Sequence, residues 1–159
     1  MGYFLTVDAG TGSGRAIIFD TTGNQVGISQ EEWSHLSEPG VANSMGFDTQ
    51  TNWTIISRCI RGAIKDAGIV STDIKAVTAT SMREGIVLYD KDNKELFGVA
   101  NVDARADKEV AHLNQTYPDL EKEFYAISGQ TFALGALPRL LWVKNNRPSV
   151  YDKTVNISM

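Results

Sequence analysis

Cysteine is nearly absent. Cys59 stands alone in 159 residues, so no internal disulfide forms, and the composition fits a reducing cytoplasm. Cys59 sits beside an apolar helical face and is read as a small core residue, since nothing near it in sequence supplies a base. Long apolar runs are missing too. No stretch approaches the roughly 18 residues of a membrane helix, so no membrane partner is expected. Residues 1–8 lack both a basic segment and an extended apolar one, and no secretory signal is expected there. The Asn-x-Ser/Thr triplets at Asn52, Asn114 and Asn156 are therefore read as chance. There is no excess of basic charge. The formal net charge is −4, which disfavours nucleic acid as a partner. His35 and His112 stand apart without metal-ligand spacing, so no zinc site is expected.

What remains is an ordinary globular composition, 42% apolar, long enough for one domain over 1–159. The first third reads as β structure. Strands are predicted over 3–7, 15–20 and 25–33, with Thr21-Thr22-Gly23-Asn24 as a turn. The short links favour antiparallel neighbours. A helix follows over about 48–67, with Asp48 as N-cap and Gly68 beyond its end. Its apolar face is read as Trp53, Ile56, Ile60, Ala63, Ile64 and Ala67. A fourth strand is predicted over 74–80, then a hairpin of 86–89 and 95–99 around Asp90-Lys91-Asp92-Asn93. Helices are expected over 104–115, 119–128 and 137–146, the last with Pro138 in its first turn and a mixed face of Leu137, Leu140, Leu141 and Lys144. Trp33, Trp53 and Trp142 are assigned to the core. Residues 154–159 read as a strand, and an ending on an apolar strand predicts a chain cut from a longer one.

The order β-β-β-α-β excludes a plain Rossmann unit, which alternates from its start. It suits an α/β fold of the actin-like ATPase, ribonuclease-H-like kind: a mixed sheet with an N-terminal antiparallel meander, flanked by helices.

The most distinctive local pattern is Asp8-Ala9-Gly10-Thr11-Gly12-Ser13-Gly14-Arg15, between the first two strands. Its glycines permit close backbone approach and positive φ. Backbone N–H groups with the hydroxyls of Thr11 and Ser13 form a candidate anion nest, and Arg15 adds positive charge. Asp8, at a strand end, is a candidate for water-mediated Mg²⁺ binding. A Walker A ending is absent. Arg83-Glu84 follows the fourth strand, where α/β folds place ligand groups, and the pair both donates to and accepts from hydroxyls. An exposed ion pair is the alternative reading.

The segment from Asp8 to Arg15 resembles the first phosphate motif of the FGGY carbohydrate kinases, the family of glycerol kinase and xylulokinase. Glycerol kinases read Asp-Gln-Gly-Thr-Thr-Ser-Ser-Arg there, so Asp8, Gly10, Thr11, Ser13 and Arg15 match, while Gly12 replaces a threonine and removes one hydroxyl. The resemblance implies two actin-like domains with ATP and sugar between them. It also implies an acceptor contact from the Arg83-Glu84 pair. Asn101-Val102-Asp103-Ala104-Arg105 resembles a Trp-Gln-Asp-Arg-Arg string, which adds Asn101 and Asp103 to the implied substrate site. Asn101 and Leu134 stand where glycerol kinases carry aromatic residues, so glycerol is not the expected substrate. The strings 81–89, 100–106, 129–131 and 137–142 are similar to a branch of the family acting on a dicarbonyl polyol, 4,5-dihydroxy-2,3-pentanedione. That branch transfers phosphate from ATP, with Mg²⁺, to the terminal hydroxyl of this quorum-sensing signal. Alternatives are another sugar kinase of the family, such as one for the pentulose xylulose, or a non-catalytic sugar-binding module. The family's catalytic base and most of its adenosine site lie in a second domain. The 159 residues are therefore expected to be an N-terminal domain that is inactive alone and self-associates through an exposed domain face.

Overall fold

The computed structural model describes residues 2–159, the side chain of Leu134 excepted. The chain divides into two compact units. One comprises the chain up to His35 together with Asp48–Met82; the other comprises Leu36–Phe47 and Arg83–Met159.

In the first unit, β1 (Tyr3–Ala9), β2 (Ser13–Asp20) and β3 (Gln25–Glu32) form the expected meander. After helix α1 (Thr49–Asp66), strand β4 (Ile74–Ser81) returns parallel to β1. The sheet is four-stranded and mixed, in the order β3-β2-β1-β4. The β2–β3 turn is organised by Asp20. Its carboxylate accepts from Thr22 Oγ1 at 2.7 Å, Thr22 N at 2.8 Å, Asn24 N at 2.9 Å and Asn24 Nδ2 at 3.0 Å. These bonds, that from the Thr22 hydroxyl foremost, hold the Asp20 carboxyl well below the usual carboxylate range.

Helix α1 begins where Asp48 caps it, accepting from Thr51 N at 3.0 Å, and ends before Gly68 at φ +66°. Its buried stripe is Asn52, Ile55, Ile56, Cys59 and Ala63. This face is rotated from the expected one. Trp53 is 65% exposed, so it belongs to neither that face nor the core, whereas Trp33 and Trp142 are buried. A polar residue, Asn52, hid the true stripe. The helix lies very close to the sheet. A Cβ on Gly27 would stand 2.5 Å from Ala63 O and 2.7 Å from Ala67 N, and one on Gly14 would stand 2.6 Å from Ile56 Cδ1 and 2.8 Å from Trp33. Cys59 occupies the same seam and donates to Gly14 O at 3.4 Å, as its core assignment requires.

The second unit is built on a three-stranded antiparallel sheet, β6-β5-β7, from β5 (Ile86–Tyr89), β6 (Glu95–Val99) and the short β7 (Asn156–Ser158). The predicted hairpin turn closes through Asp90, whose Oδ1 accepts from Asp92 N and Lys94 N, both at 2.9 Å, with Asn93 at φ +58°. Residues 36–47 run beside β6, with bridges Leu36↔Gly46 and Gly46↔Val99. The helices are α2 (Asp107–Thr116), α3 (Leu120–Ser128), α4 (Ala136–Asn146) and a turn-length α5 (Pro148–Tyr151) that the spacing did not predict. The core gathers Ile86, Leu88, Val99, Ala106, Trp142 and Val143. On α4 the buried residues are Pro138, Arg139, Trp142 and Val143, and Leu137 is exposed. The buried face therefore lies about half a turn round the helix from Leu137, Leu140, Leu141 and Lys144, and it includes an arginine.

Burial pushes the Cys59 thiol above its ordinary range. Native protein at pH 8 is expected to resist iodoacetamide for hours and to react fully in denaturant, read by intact mass. Gly27→Ala forces a methyl against helix backbone that has no rotamer to change. It is expected to cost about 1–3 kcal/mol in urea unfolding.

Candidate functional site

The loop between β1 and β2 lies in the first unit. Gly10 N donates to Ser13 O at 3.0 Å and closes it. Trp33 supports it from below: its indole Nε1 donates to Thr11 O at 2.9 Å and its backbone N to Gly12 O at 3.1 Å. In a trans peptide the N–H points opposite to the C=O. With Thr11 O turned toward Trp33, the Gly12 N–H points away from it, at an exposed residue. None of the loop glycines has positive φ, contrary to expectation. They serve space instead. Gly14 admits Trp33 and Ile56, and beyond Gly12 there is nothing within 4 Å.

Asp8 and Arg15 face each other across the β1–β2 ladder. Arg15 Nη1 lies 3.7 Å from Asp8 Oδ2, and both side chains are about one-third exposed. Arg15 Nε donates to Gln30 Oε1 at 2.8 Å, and Gln30 Nε2 reaches Ser13 Oγ at 3.4 Å. A pair this long and this wet contributes at most about 1 kcal/mol, so a phosphate or a hydrated cation displaces it easily. A lone carboxylate suits Mg²⁺, which keeps several waters and shares phosphate oxygens. Among the described residues no cluster of three or more His, Cys, Asp or Glu side chains forms a dedicated metal cage.

The other sequence candidates lie in the second unit. Arg83 is exposed and makes no hydrogen bond or ion pair with the described residues. Glu84 adopts φ +63°, in the left-handed region where a residue with a Cβ is strained. Its Oε2 accepts from Ala136 N at 2.9 Å, the first amide of α4, where a helix favours negative charge. Arg139, which the sequence reading passed over, holds the backbone of three candidates. Its Nη1 donates to Glu84 O at 2.6 Å, Nη2 to Asn101 O at 2.5 Å and Nε to Asp103 O at 2.9 Å. Its spacing from Trp142 on α4 was the available signal, because a helix that buries 138, 142 and 143 must also bury 139.

Asp103 is buried, and its carboxylate is fully engaged. Oδ2 accepts from Met45 N at 2.6 Å, and both oxygens accept from Arg105 Nε at 2.9 Å. Arg105 Nη1 then meets Glu38 Oε2 at 2.7 Å, and the guanidinium lies 5.0 Å from the Phe97 ring centre and 4.8 Å from that of Trp142. Arg147 pairs with the other Glu38 oxygen and covers Trp142 at 5.3 Å. Leu134, expected in place of an aromatic wall, has its side chain outside the described residues.

A family model described as "FGGY family of carbohydrate kinases, N-terminal domain" matches residues 3–159. The chain is 50% identical over 160 residues to an autoinducer-2 kinase of Klebsiella pneumoniae, covering 100% of this chain and 30% of that protein. An autoinducer-2 kinase of Yersinia enterocolitica is 50% identical over 158 residues, covering 99% and 30%. Thus the chain spans about a third of the length of these relatives. Among solved structures, a ligand-bound xylulose kinase from Lactobacillus acidophilus matches with a TM-score of 0.85 at 16% identity, over 99% of this chain and 31% of that one. A xylulose kinase from Rhodospirillum rubrum matches at 0.82 and 21%, over 98% and 31%. At these identities the structural likeness shows the actin-like fold alone.

Asp103→Ala would leave Arg105, 1% exposed at its side chain, with only the Glu38 end of its pairing. It is expected to cost about 3 kcal/mol or more in urea unfolding, several times the effect of removing the wet Asp8–Arg15 pair.

Proposed function

The chain belongs to the FGGY family of carbohydrate kinases, as an N-terminal domain, and from that premise we propose that it supplies the phosphate loop and acceptor contacts of a cytoplasmic autoinducer-2 kinase. The observation that carries the substrate is the 50% identity to autoinducer-2 kinases over the whole of this chain. In this reading Thr11, Gly12, Ser13 and Arg15 receive the ATP phosphates. Gly12 offers an outward N–H rather than a hydroxyl, and Arg15 exchanges Asp8 for phosphate oxygens. Asp8 holds Mg²⁺ through water, and the ion's chemistry is to neutralise charge on the transferring group. Arg83, exposed and unpaired among the described residues, donates to the acceptor, and Glu84 accepts from its hydroxyls. Asn101 lies beside them in the same unit, tied through its carbonyl to Arg139. Asp103 acts at one remove, holding Arg105 and the backbone between Asn101 and Arg105 in place. The base for the attacking hydroxyl is proposed to come from a further domain, and the 159 residues alone to be inactive.

β4 is exposed along most of its length, with Val77 62% exposed. The isolated chain is therefore proposed to associate through this strand; a monodisperse monomer in concentrated solution scattering would count against that. No described helix is long and apolar enough to cross a membrane.

In a kinase polypeptide carrying this domain, ATP-dependent phosphorylation of 4,5-dihydroxy-2,3-pentanedione should exceed that of xylulose and glycerol at least ten-fold. Preference for xylulose would make the protein a pentulose kinase instead. Asp8→Ala should lower kcat at least a hundred-fold, and parental turnover in that variant would remove the metal role. Acceptor-dependent ADP release by the isolated 159 residues would overturn their proposed inactivity.

A further inference from the structure

Arg139 makes contacts of an unusual kind. Arg139 is 2% exposed, yet its guanidinium forms no ion pair among the described residues. Its three nitrogens are divided among three backbone carbonyls, Glu84 O, Asn101 O and Asp103 O, with Gly135 O a further 3.5 Å from Nη1. Burial lowers its pKa, opposed by the nearby negative charges of Asp103 and Glu84. A leucine or methionine would fill this place without the penalty of burying a charge. What an apolar residue cannot do is bond three carbonyls, one at Glu84 and two in the 101–103 turn, at once. A planar fork of five N–H donors does this.

Those carbonyls belong to the residues on which the acceptor reading depends. At Glu84 the hold is double. Arg139 bonds its carbonyl, while Ala136 N, three residues earlier on α4, bonds its Oε2. Together they fix a strained backbone at φ +63° and the side chain with it. Glu84 Oε1 is left with no partner among the described residues and is available to a ligand hydroxyl. At Asn101 the same guanidinium fixes the peptide that sets the side chain's direction.

We propose that Arg139 is the positioning residue of the acceptor site, a buried fork that orients Glu84 and Asn101 toward the hydroxyl-bearing substrate without touching it. This rests on the kinase reading above. Binding of the acceptor should depend on it, and handling of ATP should not, because every carbonyl that Arg139 holds belongs to the second unit.

The test uses Arg139→Met and Arg139→Lys in the kinase polypeptide that carries this domain. An ammonium has three N–H donors for three carbonyls, so Lys keeps the hold imperfectly, whereas Met abolishes it. Arg139→Met should raise the acceptor KM at least ten-fold with the ATP KM within two-fold, and Arg139→Lys should recover most of the loss. Amide exchange should show lost protection at 83–85 and 101–103 in the Met variant, with β1 to β3 unchanged. An unchanged acceptor KM in a folded variant that has lost this protection overturns the proposal. So does an equal rise in both KM values, or a Lys variant no better than Met. Should Met fail to fold, the Lys variant decides alone: it must raise acceptor KM measurably and leave ATP KM unmoved. A parent that phosphorylates no acceptor sinks the kinase reading. The fork is then judged by exchange, and unaltered protection at 83–85 and 101–103 in Arg139→Met refutes it.

Discussion

A buried guanidinium whose hydrogen bonds among the described residues all go to backbone carbonyls organises the second unit. Arg139 draws two separate stretches of chain onto one point, at Glu84 and at Asn101 with Asp103. Burying that charge is costly, and the Asp103 carbonyl left without it would also lie away from water. The cost and the remedy are therefore coupled: neither the arginine nor the turns it ties are stable in this form without the other. Around it runs a second polar chain, Asp103–Arg105–Glu38–Arg147, folded over Trp142. Asp103 belongs to both, giving its carbonyl to Arg139 and its carboxylate to Arg105.

The first unit follows a different physical rule. Its candidate groups are bound weakly and wetly. Asp8 and Arg15 stand 3.7 Å apart, each about one-third exposed, a separation at which a pair is worth little in water. Weak pairing of this kind is easily exchanged, as the phosphate role proposed for the loop requires. Rigidity here comes from packing beneath it: Trp33 carries the loop's carbonyls, and Gly14 lets that indole come close. Readily exchanged charges on a fixed apolar support suit a substrate that arrives and leaves each turnover.

Much of this was legible in the sequence because it is local. Strand alternation, the Asp48 cap, Gly68, and the Asp20 and Asp90 turns are each set by a few neighbouring residues, and the structure places them within a residue or two of expectation. Helical faces were less legible. On α1 a buried Asn52 and an exposed Trp53 reversed the polarity on which the pattern depends. On α4 the buried stripe contains Arg139, a residue type that periodicity assigns to solvent. The misreading on α4 comes from long-range partners, the carbonyls that hold Arg139, which a local pattern does not record; Asn52 is buried with its Nδ2 unpartnered among the described residues, and no such partner accounts for it.

The same distinction sorts the candidate acceptor residues. Resemblance transfers a motif as a block and does not separate residues that touch a ligand from those that hold them. Burial and hydrogen-bond capacity do. Arg83 is exposed with every donor unspent among the described residues. Glu84 has committed one carboxylate oxygen to α4 and its carbonyl to Arg139. Asp103 has no acceptor capacity pointing outward, since Met45 N and Arg105 occupy both of its oxygens. A ligand reaching Asp103 would have to break a buried ion pair, and one reaching Arg83 would displace only water. Accessibility thus falls from Arg83 through Glu84 to Asp103. A motif that looked like four equivalent contacts divides by burial: Arg83 is exposed, Glu84 and Asn101 are half-buried and tied through their carbonyls to Arg139, and Asp103 is enclosed in its ion pair.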